Sequence, residues 1–553
     1  MFRVKSSAMT QGYDSIKIPC RNGLEFTEGQ QIVFDLGREI GIANLKNAVI
    51  EMDININGNA ACPLLQLNRV NGGQSIINRI SIRSNGRLLE QLDNYNLYAG
   101  LHYSATHDNG VGNKRNVNEG CASSYRIQDN PFVTQNEAAL QGASLDVVSK
   151  CWKDIDRKIQ IPILGGIFQN PQNMPLMAIP LEVEIILEKN VRCLYSEALL
   201  VDNLACENLG AAPIATIVLS AAECLKYGVV GTGNEFPSDS KLNMKANFPF
   251  RKDQIVLVSA TGGVGAVTNG GIFTISEIND DAAGKLTVVM SAVVNTNTLT
   301  GVTLSATNAG ALLAGASVSY QVKQPRLIVP KVIPAPQFTQ AMSAAIAKGS
   351  YSMNIVSWTD YQTSVNGSTT KSTNIIPADL SRVKSILSVP QELADIDKYN
   401  NMRAQHGSYM DADSYEYQIN NRMVPSRLVS LAREAHGSWT SGAHNYQMVP
   451  SWANGSILGA VHSFEVEKAL GDANIEVRNL KFLSKTAVNA FSDGYYLIGR
   501  TLGSYGMSEN LMGVSAILYL NYLGTNNNLK LLHNYCVHLR TISVGPQGVA
   551  LNY

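Results

Sequence analysis

"GQSIINRISIRSNGRLLEQLDNYNLYAGL", residues 73–101, fits a strand, a tight turn and a helix start into under thirty residues. Ile80 and Ile82 alternate with Arg79, Ser81 and Arg83, the period-two pattern of a strand with one buried face. Asn85-Gly86 supplies the positive φ angles that a two-residue hairpin turn demands. Beyond Leu88 and Leu89, Asp93 stands where a helix cap belongs, with Leu92 and Leu97 spaced as a hydrophobic staple. The stretch holds no nucleophile, no metal spacing and no phosphate loop. It reads as scaffold, and it sets the pattern to look for elsewhere.

The same alternation recurs. In "PLEVEIILE" (180–188), Leu181, Val183, Ile185 and Leu187 share one face, and Glu182, Glu184 and Glu188 share the other. "IPILGGIFQNPQNMPLMAIP" (161–180) reads as strand and loop, broken by Gly165-Gly166 and by Pro171, Pro175 and Pro180. "MGVSAILYLNYLG" (512–524) is apolar on both faces, which predicts a strand sandwiched inside a core, and "NYCVHLRTISV" (534–544) predicts another after the turn "GTNNN". Short strands separated by Gly, Asn and Pro indicate sandwiches or barrels, so the fold class is all-β. Helices are few. "PQFTQAMSAAIAKG" (336–349) places Phe338, Met342 and Ile346 at i, i+4 and i+8 with Gly349 as its stop, a connector between two β-rich halves. "SVPQELADIDKYNNMRAQHG" (388–407) is a looser helical candidate.

Composition agrees with a turn-rich β protein. Of 553 residues, 45% are hydrophobic and 16% charged, below the roughly 25% charged of an ordinary soluble domain. Forty-four Lys and Arg balance 44 Asp and Glu, and no basic arm opens the chain, which argues against a nucleic-acid-binding stripe. A sparsely charged surface is cheap to desolvate, so extensive protein–protein contact is expected. No apolar run reaches the ~20 residues of a membrane span, and the start lacks a signal peptide's apolar region. The eight cysteines (20, 62, 121, 151, 193, 206, 224 and 536) form no CxxC pair and are expected reduced and mostly buried. From about 213 to 317 aromatics nearly vanish and Ala, Gly, Thr, Asn and Val dominate, with strand-like runs at 255–258, 272–276 and 286–292. This predicts a small inserted β module, with the first half resuming at "SVSYQVKQPRLIVP" (317–330).

Motifs for chemistry fail on their spacing. "GTGNEF" at 231 and "GVGAVT" at 263 lack the third glycine of a dinucleotide loop, and "AAGKLT" at 282 lacks the phosphate-loop spacing. The eight histidines (102, 107, 406, 436, 444, 462, 533 and 538) make no HxH or HExxH pair, and no GxSxG elbow occurs. Glu182 and Glu184 could be imagined as the two acids of a glycosidase, but an outward strand face explains them. Tyrosines such as those of "DGYYLIGRTLGSYG" (493–506) are weighted toward core or interface rather than ligand stacking. No catalytic residue, cofactor or metal is expected.

The strand, "SNG" turn, "LLEQLDNYNLY" segment and helix resemble part of the first jelly roll of the double jelly-roll major capsid proteins of tailless icosahedral dsDNA viruses, a family spanning polinton-like viruses, virophages and nucleocytoplasmic large DNA viruses. "IPILGGIF…PLMAIPLEVEIILE" is similar to a later strand pair of that domain. "SYEYQINNRMVPSR" (414–427), "ILGAVHSFEVEKAL" (457–470) and "LMGVSAILYLNYLG…LLHNYCVHLRTISVGPQGV" resemble the second jelly roll, in the family's order. The resemblance implies two tandem eight-stranded jelly rolls, standing side by side in a shell. It divides the chain into a first jelly roll (1–212), a tower module (213–317), that roll's final strand (318–335), a connecting helix (336–349) and a second jelly roll (350–553). It implies a homotrimer forming a pseudo-hexameric capsomer in the virion, penton and minor or cement proteins as partners, host contact through the module, and no sequence-specific nucleic-acid binding. The alternative is a β-sandwich carbohydrate-binding or receptor-attachment protein.

Overall fold

The computed structural model describes residues 10–57, 65–68, 71–106, 115, 118–120, 156–196, 204–209, 215–220, 255–263, 271–280, 286–293, 299–306, 319–367, 369–393, 396, 412–430, 460–478, 497–503, 508–522, 529–545 and 548–552. Along the chain the principal elements begin with β1 (Thr10–Pro19), β2 (Gln31–Leu36), β3 (Val49–Asn57), β4 (Ile77–Ser84), β5 (Arg87–Leu92), α1 (Tyr95–Thr106), β6 (Arg157–Pro162) and β7 (Leu181–Leu187). Next come β8 (Leu204–Ala205), β9 (Thr216–Val218), β10 (Ile255–Gly263), β11 (Gly271–Asp280), β12 (Leu286–Met290) and β13 (Leu299–Ala306). β14 (Ser319–Pro334) and α2 (Pro336–Ala347) lead into β15 (Tyr351–Val365), β16 (Lys371–Ile376), β17 (Val383–Glu392), β18 (Ala412–Ile419) and β19 (Arg422–Ser430). α3 (Ala460–Asp472), β20 (Ile498–Thr501), β21 (Ala516–Tyr522), β22 (Lys530–Gly545) and β23 (Gly548–Asn552) follow.

Pairing sorts these strands into two sandwiches with one plan. In the first, the sheets run β1–β14–β3–β6 and β2–β7–β4–β5, all antiparallel. In the second they run β15–β22–β17–β20 and β16–β21–β18–β19, with β23 added to β22. Counting strands within each sandwich, the order is 1-8-3-6 over 2-7-4-5 both times. That double Greek key is a jelly roll, which closes two sheets on one core. The fold expected from the sequence is present.

Local reasons for the strands are plain where one face meets water. In β7, Leu181, Val183, Ile185 and Leu187 are buried and alternate with half-exposed Glu182, Glu184 and Ile186. The β4–β5 turn holds Asn85 at φ 48° and Gly86 at φ 78°, both in the left-handed region that the hairpin requires. α2 docks by the predicted stripe: Met342 is buried, and Phe338 and Ile346 pack on Ile42, Val332 and Tyr351.

Four local expectations change. Asp93 does not cap α1: its carboxylate takes the Gln91 amide at 2.8 Å, and the helix starts at Tyr95 behind Asn94 at φ 51°. Glu188 is not outward but 4% exposed, because Asn78 and Asn96 both donate to it from the neighbouring strand and helix. β21 is buried on one face alone, with Ile517, Tyr519 and Asn521 half-exposed on the other, since nothing described covers that side of its sheet. Residues 388–392 finish β17 instead of opening a helix, held by the ladder from Ser388–Asn534 to Glu392–Lys530; residues 397–407 lie outside the described ones.

Between the seventh and eighth strands of the first sandwich, six strands in the order β8–β13–β10–β11–β12–β9 form a separate sheet. Its ends meet through the Cys206–Leu219 bridge, with Glu207 N donating to Val218 O at 2.8 Å and Ser220 N to Ala205 O at 2.9 Å. The sheet is therefore a closed barrel with an apolar centre of its own, including Ile217, Val256, Val258, Val288 and Leu304. Closure leaves no free edge to pair with another chain.

Candidate functional site

The second sandwich has its own interior, lined by Ile386, Tyr417, Leu518 and Cys536. The opposite side of its β15–β22–β17–β20 sheet belongs to the first sandwich's core instead. Trp358, Leu387, Val389, Tyr535 and Val537 join Phe34, Ile82 and Tyr98 in one continuous apolar cluster. This seam is where the two halves become one body.

Trp358 on β15 is its centre, 2% exposed and stacked on Tyr98 of α1 at 4.2 Å between ring centroids. Tyr535 on β22 meets both rings edge-on at 5.2 and 5.6 Å. Such a trio contributes large buried area plus favourable ring geometry. Around it runs a polar tier. Arg540 donates to Leu89 O at 3.2 Å, Tyr535 Oη to Asn94 O at 3.1 Å, and Asn94 Nδ2 to Asp360 Oδ2 at 2.7 Å. Arg87 donates to Val549 O at 2.8 Å, so β23 is held to the first sandwich as well.

Glu90 on β5 is the most buried charge-bearing group of the seam, with 0% exposure. It accepts hydrogen bonds from Ser357 Oγ across the seam and from Ile167 N at 2.9 Å. Burial raises its pKa, while Ser357, Arg540 and the Ile167 N–H oppose that rise. Gly165 (φ 110°) and Gly166 (φ 52°) let the loop after β6 pass: a Cβ on Gly166 would fall on the Glu90 carboxylate, and one on Gly165 would sit 2.8 Å from Trp358 Nε1. The Gly-Gly that reads as a loop breaker in the sequence is the cradle of the seam's acid.

A polar cleft of about 430 Å³ opens beside the seam, lined by Asn78, Asp93, Asn94, Asp360, Tyr361 and Gln362. Asp360 accepts His533 Nδ1 at 2.8 Å, the His–Asp half of a catalytic relay. The other imidazole nitrogen is engaged by Gln391 Oε1 at 2.9 Å, so no hydroxyl or thiol completes the relay. His538 contacts Thr359 Oγ1 at 3.1 Å, and burial with Arg540 nearby pushes its pKa down to about 3. It is a neutral core histidine. His462 is buried and His102 half-buried, and both are pushed down to about 4 chiefly by loss of solvent around the ring. His107, His406, His436 and His444 lie outside the described residues, as do Tyr495, Tyr496 and Tyr505.

The imagined acid pair dissolves into ion pairs. Arg21 reaches Glu182 at 2.9 Å and Asp35 at 3.0 Å, and Arg83 reaches Glu184 at 3.3 Å. The stretch 231–236 and residues 264–268 and 282–285 of the other glycine motifs fall outside the described residues. Cys20, Cys193, Cys206 and Cys536 are free thiols, the last three buried. Cys62, Cys121, Cys151 and Cys224 lie outside the described residues. Among the described residues no three of His, Cys, Asp or Glu gather as a metal site needs, and no helix is long and apolar enough to cross a membrane.

Two sandwiches of one strand order, fused through a common core, define a double jelly-roll protein. No protein-family model matches the sequence, and no curated protein does. Among solved structures the chain is similar to the Faustovirus major capsid protein, with a TM-score of 0.48 and 9% identity over 97% of this chain and 90% of that one. It is similar to PBCV-1 VP54, as fitted into a reconstruction of the virophage Sputnik, with a TM-score of 0.47 and 9% identity over 100% and 98%. A chain of the Sputnik virophage solved by cryo-EM gives 0.43 and 12% over 100% and 90%.

Proposed function

We propose that this chain is a viral major capsid protein. Three copies form a pseudo-hexameric capsomer, and capsomers tile an icosahedral shell around a dsDNA genome. The seam is the observation that carries the reading. It fixes two sandwiches of one plan side by side through a shared core, so three chains about a threefold axis present six similar units. A pseudo-hexagonal tile of that kind packs in a plane, and weak contacts repeated over many tiles sum to a durable wall. The balance of 44 basic and 44 acidic residues supports close packing, because tiles of high like charge would repel.

In this reading the chain is structural, not enzymatic, and resides in the virion. Residues 1–212 and 318–335 make the first jelly roll, 336–349 the connector, and 350–553 the second. The 213–317 module, which together with residues 204–209 forms the inserted barrel, stands on the outer face as a tower and is the surface for host contact. Penton and minor or cement proteins are the remaining partners, and the genome is not bound sequence-specifically.

Sedimentation of the purified chain together with negative-stain imaging tests this. The expected result is a homotrimer with a hexagonal outline, burying well over the ~2,000 Å² at which obligate assemblies begin. Monomers throughout the micromolar range would count decisively against it, and glycan binding by such monomers would return the attachment-protein reading.

A further inference from the structure

The polar cleft beside the seam draws its lining from both sandwiches. Asn78 stands at the start of β4, Asp93 and Asn94 follow β5, and Asp360 and Gln362 are two apart on β15, on the face turned to the seam. Asp360 forms the floor. Its side chain is 1% exposed, and Oδ2 accepts from Asn94 Nδ2 and His533 Nδ1, while Oδ1 has no hydrogen-bond partner. A buried acceptor left without a donor is costly, and the cleft is the space from which a donor can arrive, directly or through one held water.

Further acceptors stand around that floor. Asn78 gives its Nδ2 to Glu188 and Asn94 gives its Nδ2 to Asp360, so each has an Oδ1 to offer, and Gln362 carries an exposed amide. Asp93, 39% exposed, completes the rim. Acceptors dominate this lining, yet its carboxylates already have partners. Asp93 has the Arg79 guanidinium at 4.0 Å and Asp360 has His533 at 2.8 Å, so neither is left to draw a cation. A fitting ligand brings several donors and no charge, which is the chemistry of neighbouring hydroxyls facing carboxylate and amide oxygens.

We propose that this cleft binds a neutral saccharide. Its volume of about 430 Å³ is that of a small-molecule site. Placement gives the site a use. Asn78 donates to Glu188, just past the end of β7, where the chain leaves for the barrel, so the cleft opens at the barrel's foot. In the capsomer reading that end faces outward and the cleft is a sugar-binding point on the particle. The outward placement rests on that reading; the binding does not.

Saturation-transfer difference NMR of the full chain with methyl α-galactoside, methyl α-mannoside and methyl α-glucoside tests the site. At least one glycoside is expected to bind with a dissociation constant in the low millimolar range, as a ligand of about a dozen non-hydrogen atoms allows. Asp93→Ala and Gln362→Ala, both at positions open to solvent, should each weaken binding roughly tenfold with unchanged circular dichroism, and Ile375→Ser, at an exposed position on another sheet, should not. No signal from any of the three glycosides, or a signal that D93A and Q362A leave intact, overturns the proposal. Binding of putrescine in their place assigns the cleft to a cation and overturns it as well. Sedimentation is the separate readout: a trimer that binds no sugar loses the cleft and keeps the capsomer reading, and a monomer that binds sugar does the reverse.

Discussion

Glu90, Trp358 and Gly166 show how single residues join the two sandwiches. Trp358 fills the space between α1 and β22, so Trp358→Ala is expected to cost about 3–5 kcal/mol, the range for deleting a large buried aromatic, read as a lower urea midpoint. Gly166→Ala forces a side chain onto a residue at φ 52° and onto the Glu90 carboxylate, and should destabilise by more than about 1 kcal/mol. Acid weakens the molecule at defined residues. His102 and His462 are pushed down to about 4 and His538 to about 3, so each stays neutral in the native state while the unfolded chain titrates near 6.5. Below 6.5 the unfolded state therefore binds more protons, and this stability, complete at neutral pH, drains away as pH falls from 6.5 through 4. Urea midpoints measured from pH 7.5 to 4.5 should decline steadily, and a level profile would refute the assignment. None of this was legible beforehand. In "RLLEQL" the alternation makes Leu89 and Glu90 occupants of opposite faces, yet both are buried, because the far face of β5 meets a strand more than 260 residues away. A local period cannot register a partner that distant.

At the scale of elements, strands were readable wherever one face is wet. β7 shows clean alternation, β4 shows it with Ser81 buried on the polar face, and α2 shows its i, i+4, i+8 stripe, because solvent on one side enforces the pattern. Strands of two or three residues, such as β8 and β9, carry no readable period, and their place in the barrel comes from pairing alone. The misread capping role of Asp93 has a similar origin: Asn94 in the left-handed region displaces the helix start by a residue, and no pattern of apolar positions encodes that. Since the barrel is closed and has its own apolar centre, excising 204–306, which spans all six of its strands, and joining the flanks should leave soluble trimers of unchanged melting temperature. Complete loss of soluble protein would mean the barrel is integral to the first sandwich.

For the whole molecule, the decisive property is that one apolar cluster crosses the seam, so neither sandwich can open without exposing the other's core. Calorimetry of the chain should give a single transition for the two sandwiches, and Trp358→Ala should split or broaden it; two separated transitions in the wild type would contradict the shared core. The strand order has a consequence for synthesis. β14 lies between β1 and β3, and β22 between β15 and β17, so in each sandwich an interior strand is the last of the eight to be made. While a ribosome is still translating residues 204–306, the first sandwich waits with a gap in its sheet, and the barrel is finished before the host around it can close. Nascent chains halted before residue 319 should therefore be protease-sensitive across β1 and β3, and resistance should appear abruptly once residue 334 has cleared the exit tunnel.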